Sequence, residues 1–170
     1  TYLAVLFDDS LSMSIEDVGG ESRQSAVAAK FFEDAVIDDL SESFQIRSFR
    51  FDKRTSRISD LDGFEQAGTS SSIDQALAYV DAQLNGLPLG GIILVSDGAD
   101  NSDVDPLVTA QDFGARKIPI FTVGVGQDQI PQDIGIVSVS AAKTVLEGSV
   151  FNVQLSLFHD GYQGQEVEVS

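Results

Sequence analysis

Five oxygen-bearing side chains in three short segments carry the chemistry this sequence offers. Asp8-Asp9-Ser10-Leu11-Ser12 closes one apolar run, Gly68-Thr69 lies in a polar loop, and Ser96-Asp97-Gly98 closes a second apolar run. Asp8, Ser10, Ser12, Thr69 and Asp97 together make a donor set for one hard cation. Mg²⁺ takes near-octahedral oxygen ligands at roughly 2.0–2.1 Å and keeps some of its waters. The hydroxyls of Ser10, Ser12 and Thr69 alone would hold a dication too weakly. The carboxylates of Asp8 and Asp97 are therefore required, in direct contact or through bound water. With hydroxyls inside and carboxylates behind them, the ion is not neutralised and can accept an anionic oxygen from outside.

Other chemistries fit less well. Asp8-Asp9 resembles the acidic pair of a receiver domain, and Phe51-Asp52 could supply a phosphorylatable Asp. The last apolar run, however, ends Val123-Gly-Val-Gly126 without the Lys such a site needs. A dehalogenase-type phosphatase needs Asp-x-Asp after its first strand, and Ser10 stands at the third position. An Asp8-dependent phosphotransfer enzyme or phosphatase remains the alternative reading. Gly124-Val-Gly126 begins like a dinucleotide fingerprint but lacks its third Gly and a following helix. Ser10 or Ser12 as a nucleophile would need a base, and the only histidine, His159, reads as a solvated strand-end residue far along the chain. Asp100, Asp103 and Asp105 read as a polar loop in preference to a second cation site.

The elements that must position these residues follow from periodicity. Tyr2-Leu-Ala-Val-Leu-Phe7 and Gly91-Ile-Ile-Leu-Val95 are continuous apolar runs, the signature of strands buried on both faces of a parallel sheet. Ile118–Val125 is a third. Ser22–Leu40 has helical spacing, with Val27, Phe31, Ala35 and Val36 on one face and Glu33, Asp34, Asp38 and Asp39 on wet ones. Phe44–Phe51 alternates as a strand whose pattern slips by one at Arg47-Ser48, and Lys53–Ser59 fits a short polar edge strand. Ser71 or Ser72 can cap a helix over Ile73–Leu84, which Asn85-Gly86 ends. Pro106 opens another helix running to about Lys117. Strands alternating with helices at this spacing give an α/β fold: a doubly wound, mainly parallel sheet with helices on both faces. Ligands of such sheets bind beyond the carboxyl ends of strands, where all three polar segments fall.

From Ile134 the register changes. Ile134–Ser140, Val150–Phe158 and Gln165–Val169 alternate like antiparallel strands, with Asp160-Gly161 as a turn. The chain thus divides into residues 1–130, an α/β metal-binding domain, and 131–170, a β segment too short for a full sandwich. The chain is 42% hydrophobic, enough for a core, and its 27 acidic against 10 basic residues give a formal charge of −17. That field argues against a nucleic-acid partner and against docking on anionic lipid. Without cysteine there is no disulfide, zinc–thiolate site or thiol nucleophile. No apolar run is long enough to span a membrane. The chain opens directly on an apolar strand with no secretory leader pattern, so it reads as a piece of a longer protein.

Asp-x-Ser-x-Ser after the first strand, a distant Thr and the Asp of Ser-Asp-Gly after a later apolar strand resemble the metal-ion-dependent adhesion site of von Willebrand factor A domains. The matching residues are Asp8, Ser10, Ser12, Thr69 and Asp97, and the resemblance runs from about Tyr2 to Gln127, including Ile118-Pro-Ile-Phe-Thr-Val-Gly-Val-Gly126. It implies the doubly wound fold, a Mg²⁺ or Mn²⁺ ion, and a non-enzymatic adhesion or assembly module whose protein ligand donates a Glu or Asp carboxylate to the metal. The sequence departs from the family after residue 126, where a final helix is expected and β-like sequence follows instead. That segment resembles the start of an immunoglobulin-like domain of the kind that follows such modules in bacterial surface or membrane-anchored proteins. By analogy alone, the expected location is the bacterial cell envelope.

Overall fold

The computed structural model describes residues 1–34, 36–59, 68, 70–102, 104–127, 133–141, 144, 148, 150 and 152–160. The chain divides into two compact units, Thr1–Gly126 and Gln127–Ser170. The first is built on a five-stranded sheet of β1 (Tyr2–Asp8), β2 (Gln45–Phe51), β3 (Thr55–Ile58), β4 (Leu89–Ser96) and β5 (Ile120–Gly124), in the order β3-β2-β1-β4-β5. Its helices are α1 (Arg23–Ala28), α2 (Val36–Ser41), α3 (Ile73–Leu84) and α4 (Pro106–Ala115). All pairings are parallel except β2 with β3, which is an antiparallel edge. The second unit contributes an antiparallel pair, β6 (Asp133–Ala141) and β7 (Val153–Asp160), with a register shift between Ile136 and Ser138. His159 on β7 is exposed, and the third expected strand at 165–169 lies outside the described residues.

The continuous apolar runs of β1 and β4 have a simple cause: the sheet is covered on both sides. Ala4 and Leu6 of β1 and Ile92 and Leu94 of β4 pack with α3 residues Ala76, Leu77 and Val80 and with Phe113 of α4. The intervening Val5, Phe7 and Val95 pack on the other face with Val27 and Phe31. The same rule corrects the reading of β2. Its parallel pairing with β1 runs from Gln45 to Phe51 without a slip. Ile46 belongs to the α1 face and Phe49 and Phe51 to the α3 face, so the apparent break in alternation is one strand feeding two cores.

The single helix expected over Ser22–Leu40 is also corrected. It is interrupted by a π-helical turn at Ala29–Glu33, so α1 and α2 are separate six-residue helices. A π turn adds a residue to the helical repeat, and here it brings consecutive rings to one target. Phe31 meets Phe7 edge-on and Phe32 meets it tilted, each at a centroid distance of 5.4 Å. Glu33, Asp34, Asp38 and Asp39 are exposed, as a wet face requires. At the start of α3 the Ser72 hydroxyl does not cap the backbone but donates to Asp74 Oδ1 at 2.8 Å. Asp100 takes the capping role, its Oδ1 accepting from the Ile73 amide at 3.4 Å, a carboxylate at the positive end of a helix. Asp105 caps α4 by accepting from Leu107 N–H at 2.9 Å. These two aspartates therefore hold helix ends, and Asp103 lies outside the described residues. The strand expected over Ile118–Val125 is the shorter β5. Helix α4 stops before Lys117, which adopts a left-handed φ of 59°.

Among the described residues no helix follows β5. Phe121 and Val123 on the α1 face are 57% and 37% exposed, and they border a hollow of about 560 Å³ lined by Phe31, Val36, Ile93 and Pro119. No described helix is long and apolar enough to cross a membrane.

One close approach fixes the loop ahead of α3. Gly68 forms a parallel bridge with Ser10, and its carbonyl accepts from Leu11 N–H at 2.8 Å. A Cβ on Gly68 would fall 2.3 Å from the Cβ of Asp52. Asp52 is itself pinned, its Oδ1 accepting from Arg54 N–H and its carbonyl from Ser72 N–H. Gly68→Ala is therefore expected to push the loop off the Asp8–Ser12 turn at a cost of about 1–3 kcal/mol. Urea denaturation of the metal-free protein checks this, and an unchanged midpoint would count against the close packing.

Candidate metal site

The site sits where the sheet's connections diverge. From β1 the chain crosses by α1 and α2 to β2, whereas β4 connects by α4 to β5 on the opposite side, and α3 and α4 share one face while α1 and α2 share the other. β1 and β4 are direct neighbours, with Phe7 beside Val95. The crevice between their carboxyl ends is the ligand position of a doubly wound sheet. Strand parity then selects which groups enter it. Asp8 lies two residues beyond Leu6 and Ser96 two beyond Leu94, so both project to the α3 face.

Asp8 is 1% exposed. Its Oδ1 accepts from Ser10 N–H at 3.0 Å. Its Oδ2 accepts from the Ser96 hydroxyl at 2.6 Å and the Ser71 hydroxyl at 3.3 Å. Ser96 Oγ in turn accepts from Gly98 N–H at 3.0 Å. One carboxylate thus ties β1, β4 and the loop before α3 together. Burial nonetheless pushes the Asp8 pKa up; the Ser10 and Ser96 hydroxyls and the Ser10 amide pull it down less, and the nearby negative charge of Asp97 adds to the rise. Among the described residues no Lys or Arg pairs with Asp8, so hydrogen bonds alone hold it in place.

Ser10 and Ser12 stand in front of it. Ser10 is buried and Ser12 half-buried at the mouth. Their Oγ atoms are 3.0 Å apart, within hydrogen-bonding distance. That spacing also matches adjacent ligands on a metal: oxygens at roughly 2.0–2.1 Å and right angles are about 2.9 Å apart. The short 3₁₀ turn Leu11–Ser14 puts both hydroxyls on one side, with the Leu11 side chain 56% exposed beside them. Asp97 follows β4 directly. Its side chain is 4% exposed, its Oδ1 accepts from Ala99 N–H at 3.0 Å and its Oδ2 from Arg23 Nη1 at 2.7 Å. Thr69 lies outside the described residues, although its neighbour Gly68 is bridged to Ser10. Among the described residues no three His, Cys, Asp or Glu side chains converge. The hydroxyl oxygens of Ser10 and Ser12 are then the donors at hand for a divalent cation.

Sequence reasoning did not single out three residues that shape this site. Ser96 and Ser71 hold Asp8; parity along β4 offered a signal for Ser96 alone. Arg23 offered none, because its reach to Asp97 spans 74 positions of chain. Its Nε and Nη2 grip Asp17, with Nη2 at 2.6 Å from Oδ2. The Asp17 hydrogen bonds, more than anything else, push the Arg23 pKa up against burial, with Asp97 assisting. The neighbouring Asp9 turns away from the site, accepting from Arg50 Nη1 at 3.2 Å.

Comparison with known proteins agrees with this architecture. The family model for the von Willebrand factor type A domain matches residues 6–159. Proximal thread matrix protein 1 from the mussel byssus aligns at 19% identity and a TM-score of 0.57, over 76% of this chain and 38% of that one. A structure of the same protein with a zinc-occupied MIDAS motif gives 21% and 0.54, over 75% and 38%. Manganese-loaded TRAP protein of Plasmodium vivax gives 18% and 0.50, over 75% and 57%. The chain thus spans less than two thirds of each of these, and at such identities the likeness is one of fold. Among curated proteins none matches. With a family match covering most of its length and the corresponding doubly wound sheet, the chain belongs to the von Willebrand factor type A domain family.

Proposed function

We propose that this domain is a non-enzymatic protein-binding module for adhesion or assembly, which holds one Mg²⁺ or Mn²⁺ ion and through it grips a Glu or Asp carboxylate of a partner. Ser10, Ser12 and Thr69 supply hydroxyl ligands, and Asp8 and Asp97 supply charge from behind, directly or through water. The observation that carries this reading is the state of Asp8: a carboxylate removed from water, fixed by hydroxyl and amide donors, and set behind two hydroxyls spaced like neighbouring metal ligands. A dication supplies the charge compensation that Asp8 lacks. It also reverses the local sign on a chain of net charge −17, which would otherwise repel an acidic partner. The exposed Leu11 and Ile15 beside the mouth offer apolar contact to a protein surface.

The enzyme alternative has less support. Both oxygens of Asp8 are engaged by fixed donors, which suits a ligand platform better than an attacking nucleophile, and Asp52 is committed to the turn at Arg54. The segment from 131 onward is read as the opening of an immunoglobulin-like domain, in keeping with the antiparallel β6–β7 pair, and the protein as part of a bacterial envelope assembly.

Two measurements test the reading. Mg²⁺ or Mn²⁺ at about a hundred times its Kd is expected to add about 2.7 kcal/mol and raise Tm by roughly 5–10 °C. Asp8→Ala or Thr69→Ala is expected to abolish the shift, and an unmoved wild-type melting curve would refute metal binding. The second uses pH. An Asp whose folded pKa is raised contributes stability that is present below its unfolded pKa and lost as pH rises through its folded pKa. In chelator, therefore, the stability of Asp8→Asn relative to wild type is expected to rise with pH across that window, on top of any constant offset from the amide. Added metal lowers the relative stability of Asp8→Asn at neutral pH by stabilising wild type alone. A flat difference in chelator would contradict the buried, uncompensated carboxylate.

A further inference from the structure

Arg23 is built into the rim of the site with unusual redundancy. It is the first residue of α1, behind the Ser22 cap, and its amide donates to Ile15 O at 3.0 Å. Its guanidinium lies between two buried carboxylates: Nη1 is 2.7 Å from Asp97 Oδ2, and Nη2 is 2.6 Å from Asp17 Oδ2. The three side chains are 14%, 4% and 9% exposed, so solvent screens them little. Gly126, in a left-handed conformation at φ +108°, closes over the guanidinium; a Cβ there would sit 2.8 Å from Nε. A planar fork that faces two carboxylates at once is a task for Arg and not for Lys.

We propose that Arg23 sets the charge of the metal site, lowering cation affinity so that the bound ion stays electrophilic toward an outside carboxylate; this rests on the metal-binding reading above. Asp8 and Asp97 together carry two negative charges, enough to neutralise a dication and leave it no pull on a partner. Arg23 offsets part of the Asp97 charge at hydrogen-bond distance, so the bound ion keeps more positive charge than two unpaired carboxylates would leave it. Both Asp97 oxygens already accept protein donors, which weakens them as direct ligands. Asp17, on the other side of the guanidinium, draws part of its charge away from Asp97. Removal of Arg23 and removal of Asp17 therefore shift the site in opposite directions.

Mn²⁺ titration calorimetry on metal-stripped protein tests this with Arg23→Gln, Arg23→Lys and Asp17→Asn. Arg23→Gln is expected to tighten Mn²⁺ by about tenfold or more, Asp17→Asn to weaken it several-fold, and Arg23→Lys, which keeps the charge but not the fork, to fall between wild type and Arg23→Gln. Acetate added to the Mn²⁺-loaded proteins, followed by water-proton relaxation, is expected to displace bound water from wild type at lower concentration than from Arg23→Gln. Equal or weaker Mn²⁺ binding by a folded Arg23→Gln, or the reverse order with acetate, would overturn the proposal. If Arg23→Gln does not fold, Asp17→Asn decides: equal or tighter binding overturns it. Failure of the wild type to bind Mn²⁺ would instead remove the metal reading itself, and this proposal with it.

Discussion

A carboxylate carried out of water at the end of the central strand is the constraint on which the rest of this site depends. Asp8 closes β1 at 1% exposure and can stay ionised only by collecting donors from every element around it. Those donors come from its own turn, from Ser96 at the end of β4 and from Ser71 ahead of α3. Each hydrogen bond to a charged group contributes about 1.5–3 kcal/mol, yet burial still raises the Asp8 pKa. The described ion pairs go elsewhere: Arg50 to Asp9, Arg23 to Asp17 and Asp97. The arrangement is a buried carboxyl group fixed in position by hydrogen bonds, which under the proposed function a bound cation would balance.

The surrounding packing serves that geometry. Gly68 can lie against Ser10 only because nothing projects from its Cα toward Asp52. The loops at residues 71 and 101 are tied by reciprocal contacts, Asn101 N–H donating to Ser71 O at 2.9 Å and Ser71 N–H to Asn101 Oδ1 at 3.4 Å. The polar loops that form the mouth are therefore cross-linked to one another as well as to the strands they leave. The hydroxyls in front of Asp8 are thereby presented on a rigid frame, which favours a preorganised ion site.

Much of the fold was legible because both faces of the sheet are buried. The unbroken apolar runs of β1 and β4 are what a strand covered on two sides requires, and polar residues that end such runs fall at the ligand edge. The same two-sided burial misled the reading of β2, where Ile46 and Phe49 serve different cores. The π turn was invisible because Val27, Phe31 and Val36 fit an ordinary helix nearly as well; the need to bring Phe31 and Phe32 together on Phe7 is tertiary. Asp100, read from sequence as part of a polar loop, takes the α3 cap expected of Ser71 or Ser72 for the same reason. In the candidate site, spacing at strand ends pointed to Asp8, Ser10, Ser12 and Asp97, which lie at the carboxyl ends of β1 and β4, and to Thr69, outside the described residues; Arg23 and Ser71 act across long stretches of chain that no local pattern encodes. The family match extends to residue 159, past the boundary between compact units at 126 and 127, so sequence kinship and compactness partition this chain differently.

The central claim is that a dication sits against the Ser10 and Ser12 hydroxyls with Asp8 behind them. Anomalous diffraction from crystals soaked in Mn²⁺ tests it most directly. The expected result is one strong peak within about 2.3 Å of both Oγ atoms, with an outward coordination position filled by water or a borrowed carboxylate. A peak elsewhere on the acidic surface, with none at the Ser10–Ser12 pair, would contradict the account.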